Sequence, residues 1–107
     1  MINLTVLYGM PDDPEGFADH YRTEHIKLAR NVPNMVTEMI WGPVTGTLGG
    51  EPSRYFWSNN FAFADKASMD AALASHAGQI AAADMAPYAT GGVTILVTEV
   101  EPEDGAR

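Results

Sequence analysis

The sequence of 107 residues contains no cysteine, and this absence removes several classes of chemistry at once. Disulfide bonds, thiolate nucleophiles and zinc–sulfur or iron–sulfur sites are excluded, because each needs a cysteine sulfur. A chain without cysteine fits a reducing compartment, where disulfides are rare, so we expect a cytoplasmic protein.

Basic residues and long apolar runs are also scarce. Six lysines and arginines stand against 14 aspartates and glutamates, which gives a net charge of −8. Such a surface repels a phosphate backbone, so no nucleic-acid partner is expected. No apolar run reaches the roughly 18 residues of a membrane-spanning helix, so no membrane association is expected. The N-terminus lacks the basic start of a signal peptide, and the histidine spacing matches no metal-binding pattern, so no metal is expected.

Strand and helix patterns alternate along the chain in a way that fits one domain, residues 1–107, of which about 101–107 form an acidic tail. The order β-α-β-β-α-β is typical of the α+β ferredoxin-like fold with a four-stranded antiparallel sheet. A loop rich in glycine and proline, at 43–54, is either a plain surface loop or a mobile lid. Periodicity and capping residues predict strands at 2–8, 35–41, 55–64 and 93–100, and helices at 14–32, 66–74 and 76–86.

Both faces of the predicted sheet carry apolar side chains, although a sheet face left to water is usually polar. In the third strand, Trp57 and Phe61 point one way, while Phe56 and Ala62 point the other. Helices can cover one face, and a second copy of the chain is the simplest cover for the other. We therefore expect a homodimer whose two sheets close into a shared barrel.

The first predicted helix carries an imidazole within its apolar stripe. Phe17, Tyr21 and Leu28 recur at helical spacing, and His25 falls in the same stripe. Since residues four apart on a helix touch, Tyr21 and His25 should lie side by side and face inward. His25 there could act as a general acid or base, with Tyr21 orienting it or donating to a developing oxyanion. Alternatively, His25 is a buried neutral histidine and Tyr21 an ordinary core tyrosine.

Further candidates for binding a ligand lie on the strands and on the last helix. Asn59 and Asn60 are unusual in a strand, and because they are adjacent only one of them can face the helices. Asp84 could face inward and raise the basicity of His25. An apolar pocket wall is expected from Phe17, Trp41, Trp57 and Phe61. Each candidate also has a plainer interpretation: a bulge or interface hydrogen bond, a solvated charge, or ordinary core packing.

Several stretches of the sequence resemble the EthD family, which takes its name from ethyl tert-butyl ether degradation gene clusters and belongs to the dimeric α/β-barrel superfamily. The pattern F-x3-Y-x3-H-x2-L-A at 17–29 is similar to the family's first-helix signature. The opening VLYGMPDDPEGF, the helical FADKASMDAALAS with HAGQIAAADM, and the final GGVTILVTEV resemble further family segments, so the likeness covers nearly the whole chain. Where relatives often carry a proline after the histidine, this chain has Lys27 before Leu28.

The resemblance implies a ferredoxin-like protomer and a homodimer built through the sheets. Relatives in the superfamily include muconolactone isomerases, polyketide cyclases, anthrone-type monooxygenases and fungal pigment dehydratases. Most of them act on small aromatic or lactone-like compounds without a metal or organic cofactor. We therefore expect a cofactor-independent acid–base enzyme of catabolism or secondary metabolism that takes a small hydrophobic or aromatic molecule. The alternative is a non-catalytic binder or accessory protein for a hydrophobic metabolite in a degradation pathway.

Overall fold

The computed structural model describes residues 1–102, so most of the predicted acidic tail, residues 103–107, lies outside the described residues. A π-helical turn separates α1 from α2 without a break, and the three together are called the first helical segment here. The elements are β1 (Ile2–Gly9), α1 (Pro14–His20), the π turn (Tyr21–His25), α2 (Ile26–Ala29), β2 (Ile40–Pro43), β3 (Tyr55–Phe63), α3 (Lys66–Ala74), α4 (His76–Asp84) and β4 (Val93–Glu99).

The four strands form one antiparallel sheet in the order β2-β3-β1-β4. This order and the alternation with helices confirm the predicted α+β ferredoxin-like fold. Strand β1 lies at the centre, and its alternating residues Leu4, Val6 and Tyr8 are buried against the helices. In the described part of the chain, no helix combines the length and the apolar character needed to cross a bilayer.

Helix starts follow the predicted capping residues. The Asp13 side chain accepts a hydrogen bond from the Gly16 amide, with Pro14 at the first helical position. Asp65 and Ser75 cap α3 and α4 in the same way. These local hydrogen bonds satisfy amides that have no partner within the helix, which is why the starts could be predicted from residue type alone.

The second strand is shorter and later than the predicted 35–41. Met35 forms only an isolated bridge to Phe63, and regular pairing begins at Ile40. The Ala62 amide, next to that bridge, donates to the Thr37 hydroxyl at 2.9 Å instead of to a backbone carbonyl. A side chain therefore replaces the backbone partner of this one amide, and the regular ladder starts several residues later.

The sheet face away from the helices is more polar than predicted. A β-bulge where Tyr8 and Gly9 face β3 turns Phe56 toward the helices, so the expectation that it points away is wrong. Its ring packs edge-on against Phe17, with the centroids 5.3 Å apart. The opposite face carries a hydrogen-bonded polar cluster of Asn3, Thr5 and Asn60.

Candidate functional site

The π turn in the first helical segment changes which residues face the sheet. The Ile26 amide donates to the Tyr21 carbonyl five residues back, where an α-helix would use four. One additional residue per turn rotates everything that follows by about 100°. Ile26 is therefore buried in the core, whereas Leu28, which the regular spacing assigned to the stripe, is only half-buried.

Two histidines of this segment meet one carboxylate from α4. His20 Nε2 lies 2.7 Å from Asp84 Oδ2, and His25 Nδ1 lies 3.1 Å from the same oxygen. The His20 ring also stacks on Tyr88, with centroids 4.1 Å apart and the planes 11° from parallel. Asp84 thus reaches His25 as the sequence suggested, and it holds a second imidazole beside it.

This contact fixes the protonation pattern of His25. A carboxylate accepts, so His25 donates through Nδ1–H, and in the neutral ring Nε2 carries the lone pair. Nε2 has no hydrogen-bond partner in the described part of the chain, yet it is not among the buried unpaired atoms. His25 as a whole is 6% exposed, and it lines a cavity.

Burial decides the charge of His25. Loss of solvent lowers the pKa of the imidazole below its ordinary 6.5, and the nearby His20 adds to the effect. The hydrogen bond and the negative charge of Asp84 oppose this shift but do not reverse it. The ring is therefore neutral at pH 7, and Nε2 is a base rather than a cation.

Tyr21 and Asn59 form a buried polar pair next to His25. Asn59 Nδ2 donates to the Tyr21 hydroxyl at 2.8 Å, and the Tyr21 and His25 rings have centroids 4.8 Å apart. Burial is the main cause that raises the pKa of the Tyr21 phenol, so the hydroxyl keeps its proton. Asn59 is 3% exposed, and its Oδ1 is buried without a partner among residues 1–102. An unpaired buried amide oxygen is costly, and Asn59 is one of the residues that line a cavity.

The cavity between the helices and the sheet has a volume of about 440 Å³. Its wall is mostly aliphatic, and the polar side chains His25 and Asn59 lie on it together. Exposed Val93 and Ile95 of β4 also line it, so the cavity reaches the edge of the sheet. A volume of this size holds a small organic molecule, and the lining favours an uncharged one.

The structure brings some of the predicted residues to this site and keeps others away. His25, Tyr21, Asn59 and Asp84 lie together, and Phe61 lines the cavity. Asn60 points to the opposite sheet face, where its side-chain oxygen accepts from the Thr5 hydroxyl at 2.7 Å.

The other predicted aromatic residues are not in the cavity wall. Phe17 and Trp57 are fully buried in an aromatic layer beside Tyr21, and the Trp57 indole N–H lies near the Tyr21 hydroxyl without hydrogen-bond geometry. Trp41 lies 5.3 Å from Tyr21 between ring centroids and borders a separate hollow of about 350 Å³. These rings pack against Tyr21 and do not line the cavity.

Sequence reasoning missed His20 and Tyr88. His20 and His25 are five positions apart in the sequence, which in an α-helix would place their side chains about 140° apart. Only the π turn brings the two imidazole rings to the same side of the helix, and no pattern of residue types predicted the π turn. Within residues 1–102, no group of three or more histidine or acidic side chains is arranged to hold a metal ion. His20 and His25 are instead each in direct hydrogen-bond contact with Asp84.

Comparison with known proteins places the chain among relatives of similar length. No protein-family model matches it. An uncharacterized 11.0 kDa protein in the thcB-thcC intergenic region of Rhodococcus erythropolis is 39% identical over 101 residues, 94% of this chain and 96% of that one.

Three solved structures are similar over nearly their whole length. A dimeric ferredoxin-like protein of unknown function from Jannaschia sp. has a TM-score of 0.69 at 20% identity, covering 94% of this chain and 100% of that one. A hydroxynitrile lyase from Passiflora edulis has a TM-score of 0.70 at 17% identity, covering 94% and 97%; at such identities only the fold is shared. An ethyl tert-butyl ether degradation (EthD) family protein from Bacillus halodurans has a TM-score of 0.84 at 26% identity, covering 94% and 99%. The chain resembles the EthD family in sequence and in fold.

Proposed function

We propose that this protein is a cofactor-independent enzyme that moves a proton on a small, uncharged aromatic or lactone-like compound, with His25 as the acid–base group. One observation carries the proposal. His25 Nδ1 is held by Asp84 at 3.1 Å, while Nε2 is left free beside an apolar cavity. A neutral imidazole whose tautomer is fixed by a carboxylate is a competent general base.

The reaction would begin with removal of a proton from a carbon next to a carbonyl group. His25 Nε2 accepts that proton, and negative charge develops on the carbonyl oxygen of the ligand. If the Asn59 side-chain amide is rotated by 180°, its Oδ1 accepts from the Tyr21 hydroxyl. Its Nδ2–H would then donate to the carbonyl oxygen of the ligand. Return of the proton at another atom completes an isomerisation, and cyclisation or dehydration can start from the same enolate.

The proposal also covers the oligomeric state of the protein and its location in the cell. We propose a homodimer, because β4 is exposed along its whole length and includes Ile95 and Leu96, each about half exposed. The ferredoxin-like relative from Jannaschia sp. is described as dimeric, and a lyase of the same fold acts, by its name, on hydroxynitriles, which are small organic compounds. The protein would act in the cytoplasm, in the breakdown or synthesis of such compounds.

Deuterium exchange tests the proposal without knowledge of the natural substrate. In D2O, 2-tetralone and α-angelica lactone gain deuterium beside the carbonyl group once a base removes the proton. We expect the intact protein to accelerate this exchange, and His25→Gln to reduce the acceleration by about 10²–10⁴-fold while the probe still binds. His76→Gln is the matched control, because His76 is exposed at the start of α4. NMR measures the exchange, and thermal shift measures the binding.

A second candidate function is storage or transfer of a hydrophobic metabolite. Three methionines, Met35, Met39 and Met85, line the cavity, and such flexible side chains adapt to varied ligands. If the intact protein binds the probes but exchange is equal in His25→Gln, the acid–base proposal is wrong and the carrier function stands.

A further inference from the structure

We propose that the cavity takes an elongated ligand, with a carbonyl-bearing head beside His25 and Asn59 and an aliphatic tail that extends over Ile95 of β4. The proposal rests on the function proposed above and deepens it, because it names the class of substrate: a lactone or ketone that carries an alkyl chain. The direction in which the cavity crosses the sheet carries this inference.

One row of paired residues gives that direction. Val6 of β1 pairs with Asn59 of β3 on one side and with Ile95 of β4 on the other. Residues directly opposite each other in neighbouring strands point to the same sheet face, and all three of these residues line the cavity. Since neighbouring strands lie about 4.8 Å apart, the row is about 10 Å long. The cavity therefore extends across the strands from Asn59 to Ile95.

Exposure to solvent rises along this row. Asn59 is 3% exposed and Val6 is 9% exposed, whereas Ile95, on an edge strand of the sheet, is 56% exposed. At the buried end, Asn59 and His25 both contact Tyr21. The cavity thus has a buried end next to His25 and an open end at β4, and a ligand enters from the side of β4.

Polar groups and exposed residues occupy opposite ends of the cavity. The lining side chains with N–H or O–H groups in the described part of the chain are Tyr8, His25 and Asn59, and all three are buried. One end of the Asn59 side-chain amide has no partner among residues 1–102. A carbonyl group can be hydrogen-bonded only at this buried end, so the head of the ligand lies there.

The open end is apolar. Ala82 in α4, Ala86 just after it, and Val93 and Ile95 in β4 are exposed and line the cavity, and they are together called the mouth here. Leu73, the other exposed lining residue among those described, is apolar too. In a protein of net charge −8, an exposed apolar patch at the opening of a cavity indicates contact with an apolar group.

An alkyl tail is the part of a ligand that fits the mouth. Each methylene group that the tail removes from water strengthens binding by up to about fourfold, and the small side chains of Ala82 and Ala86 leave room beside β4. The tail also shields the buried end from water, which strengthens the hydrogen bonds made there. A compact ring at the buried end would leave the mouth exposed.

Lactones with the same ring and tails of increasing length test the proposal. γ-Valerolactone carries a methyl group, whereas γ-octalactone, γ-decalactone and γ-dodecalactone carry butyl, hexyl and octyl chains. We expect the dissociation constant, measured by NMR titration, to fall by about twofold to fourfold for each added methylene group until the tail has passed the mouth. In Ile95→Gln, the ratio of the affinities for γ-decalactone and γ-valerolactone should be at least about threefold smaller than in the intact protein.

Val97→Gln is the matched control. Val97 pairs with Leu4, which is buried against the helices, so it points to the same sheet face as Ile95. It is 58% exposed but is not among the described residues that line the cavity, so the affinity ratio should stay that of the intact protein. In the intact protein, nuclear Overhauser effects should join the terminal methyl group of γ-decalactone to Ile95 and the lactone ring to His25.

Equal dissociation constants for the four lactones would overturn the proposal, and would mean that the mouth is already covered, for example by a second copy of the chain. An equal fall of the affinity ratio in Ile95→Gln and Val97→Gln would also overturn it, as would Overhauser contacts between the tail methyl group and His25. The two proposals fail separately: deuterium exchange in His25→Gln judges the acid–base role, whereas the affinity ratio judges the position of the tail.

Discussion

At the scale of single residues, burial of His25 makes the stability of the protein depend on pH. The folded protein holds the imidazole with a pKa below the ordinary 6.5, whereas the unfolded chain restores the ordinary value. Between those two values the unfolded chain binds more protons than the folded one. The free energy of unfolding therefore rises with pH through this window, and it falls as the pH drops below about 6.5.

The variant His25→Gln should remove this part of the pH dependence. Urea unfolding from about pH 7.5 down to about pH 5 should show a loss in the intact protein of at most about 1.4 kcal/mol per pH unit that the variant lacks. His76→Gln, which alters an exposed histidine, should keep the loss. Parallel pH profiles for the intact protein and His25→Gln would contradict the buried neutral imidazole.

The buried polar pair of Tyr21 and Asn59 should stabilise the folded protein no more than an apolar pair would. Removing one partner, as in Tyr21→Phe or Asn59→Leu, leaves a buried polar group unsatisfied and should cost about 1–3 kcal/mol. The double variant removes both groups and also the unpaired Asn59 Oδ1, so its free energy of unfolding should lie within about 1 kcal/mol of the intact protein or above it.

Urea unfolding of the two single variants and the double variant forms a complete cycle. If the two single losses simply add in the double variant, the two side chains are not energetically coupled and each contributes to folding independently of the other, which would contradict this expectation. If the double variant is as stable as the intact protein, the polar pair is retained for something other than folding.

Part of this site was predictable from residue spacing alone. Tyr21 and His25 lie four apart, so they are neighbours in either an α-helix or a π turn, and their contact was foreseen. The Asp84 contact was foreseen only as an option, because it depends on how α4 packs. His20 could not be found, since its place depends on a backbone irregularity that residue types do not encode.

At the scale of elements, helix bounds set by neighbouring residues were predicted better than strand bounds set by pairing with distant residues. The bounds of α3 were predicted residue for residue, because Asp65 and Ser75 cap helices through their own backbone neighbours. β2 was misplaced because its start depends on the Thr37 side chain taking the Ala62 amide of another strand. The first helical segment ends at Ala29, before the predicted 32.

Deleting Thr23 tests the π turn directly. A straight α-helix needs one residue fewer in that turn, so Ile26 and the residues after it should keep their orientation. His25 directly precedes Ile26, so it should also keep its place, four residues after His20 and about 40° from it in the shortened helix. We expect helical content by circular dichroism to be retained, and the pKa of His25, followed by NMR, to stay below 6.5.

Thr23→Ala is the matched control for this deletion. It removes only the exposed hydrogen bond from the Thr23 hydroxyl to the Asp19 carbonyl and leaves the chain length unchanged. The pKa of His25 should therefore stay lowered in the control. A deletion variant that folds but releases His25 from Asp84 would mean that the additional residue of the π turn is needed to place the imidazole.

At the scale of the whole molecule, the order of strands and helices along the chain was predicted from the sequence. The polar character of the sheet face away from the helices was not. Apolar residues alternate along β1, and Leu4, Val6 and Tyr8 are buried against the helices. The opposite face was expected to be apolar, and instead its centre carries Asn3, Thr5 and Asn60. Polar side chains there satisfy one another, which a pattern of single residues cannot reveal.

The strand β4 gives the homodimer its sharpest test. Leu96 is 50% exposed on the sheet face away from the helices, and a second copy of the chain would bury it twice by symmetry. Full burial of a leucine contributes about 1.5–3 kcal/mol, so burying the exposed half of two copies contributes about 1.5–3 kcal/mol to association. Leu96→Glu should therefore weaken the dimer by at least about tenfold.

Light scattering across a dilution series distinguishes the two masses. Leu48→Glu is the matched control, because it makes the same chemical change at a fully exposed loop position away from the sheet. We expect the intact protein and the control to have twice the mass of one chain, and Leu96→Glu to have the mass of a single chain. Because β4 also supplies Val93 and Ile95 to the cavity wall, loss of the dimer should open that wall to water and weaken probe binding. An intact protein that stays monomeric at every concentration would mean that this apolar edge is covered by something other than its own copy.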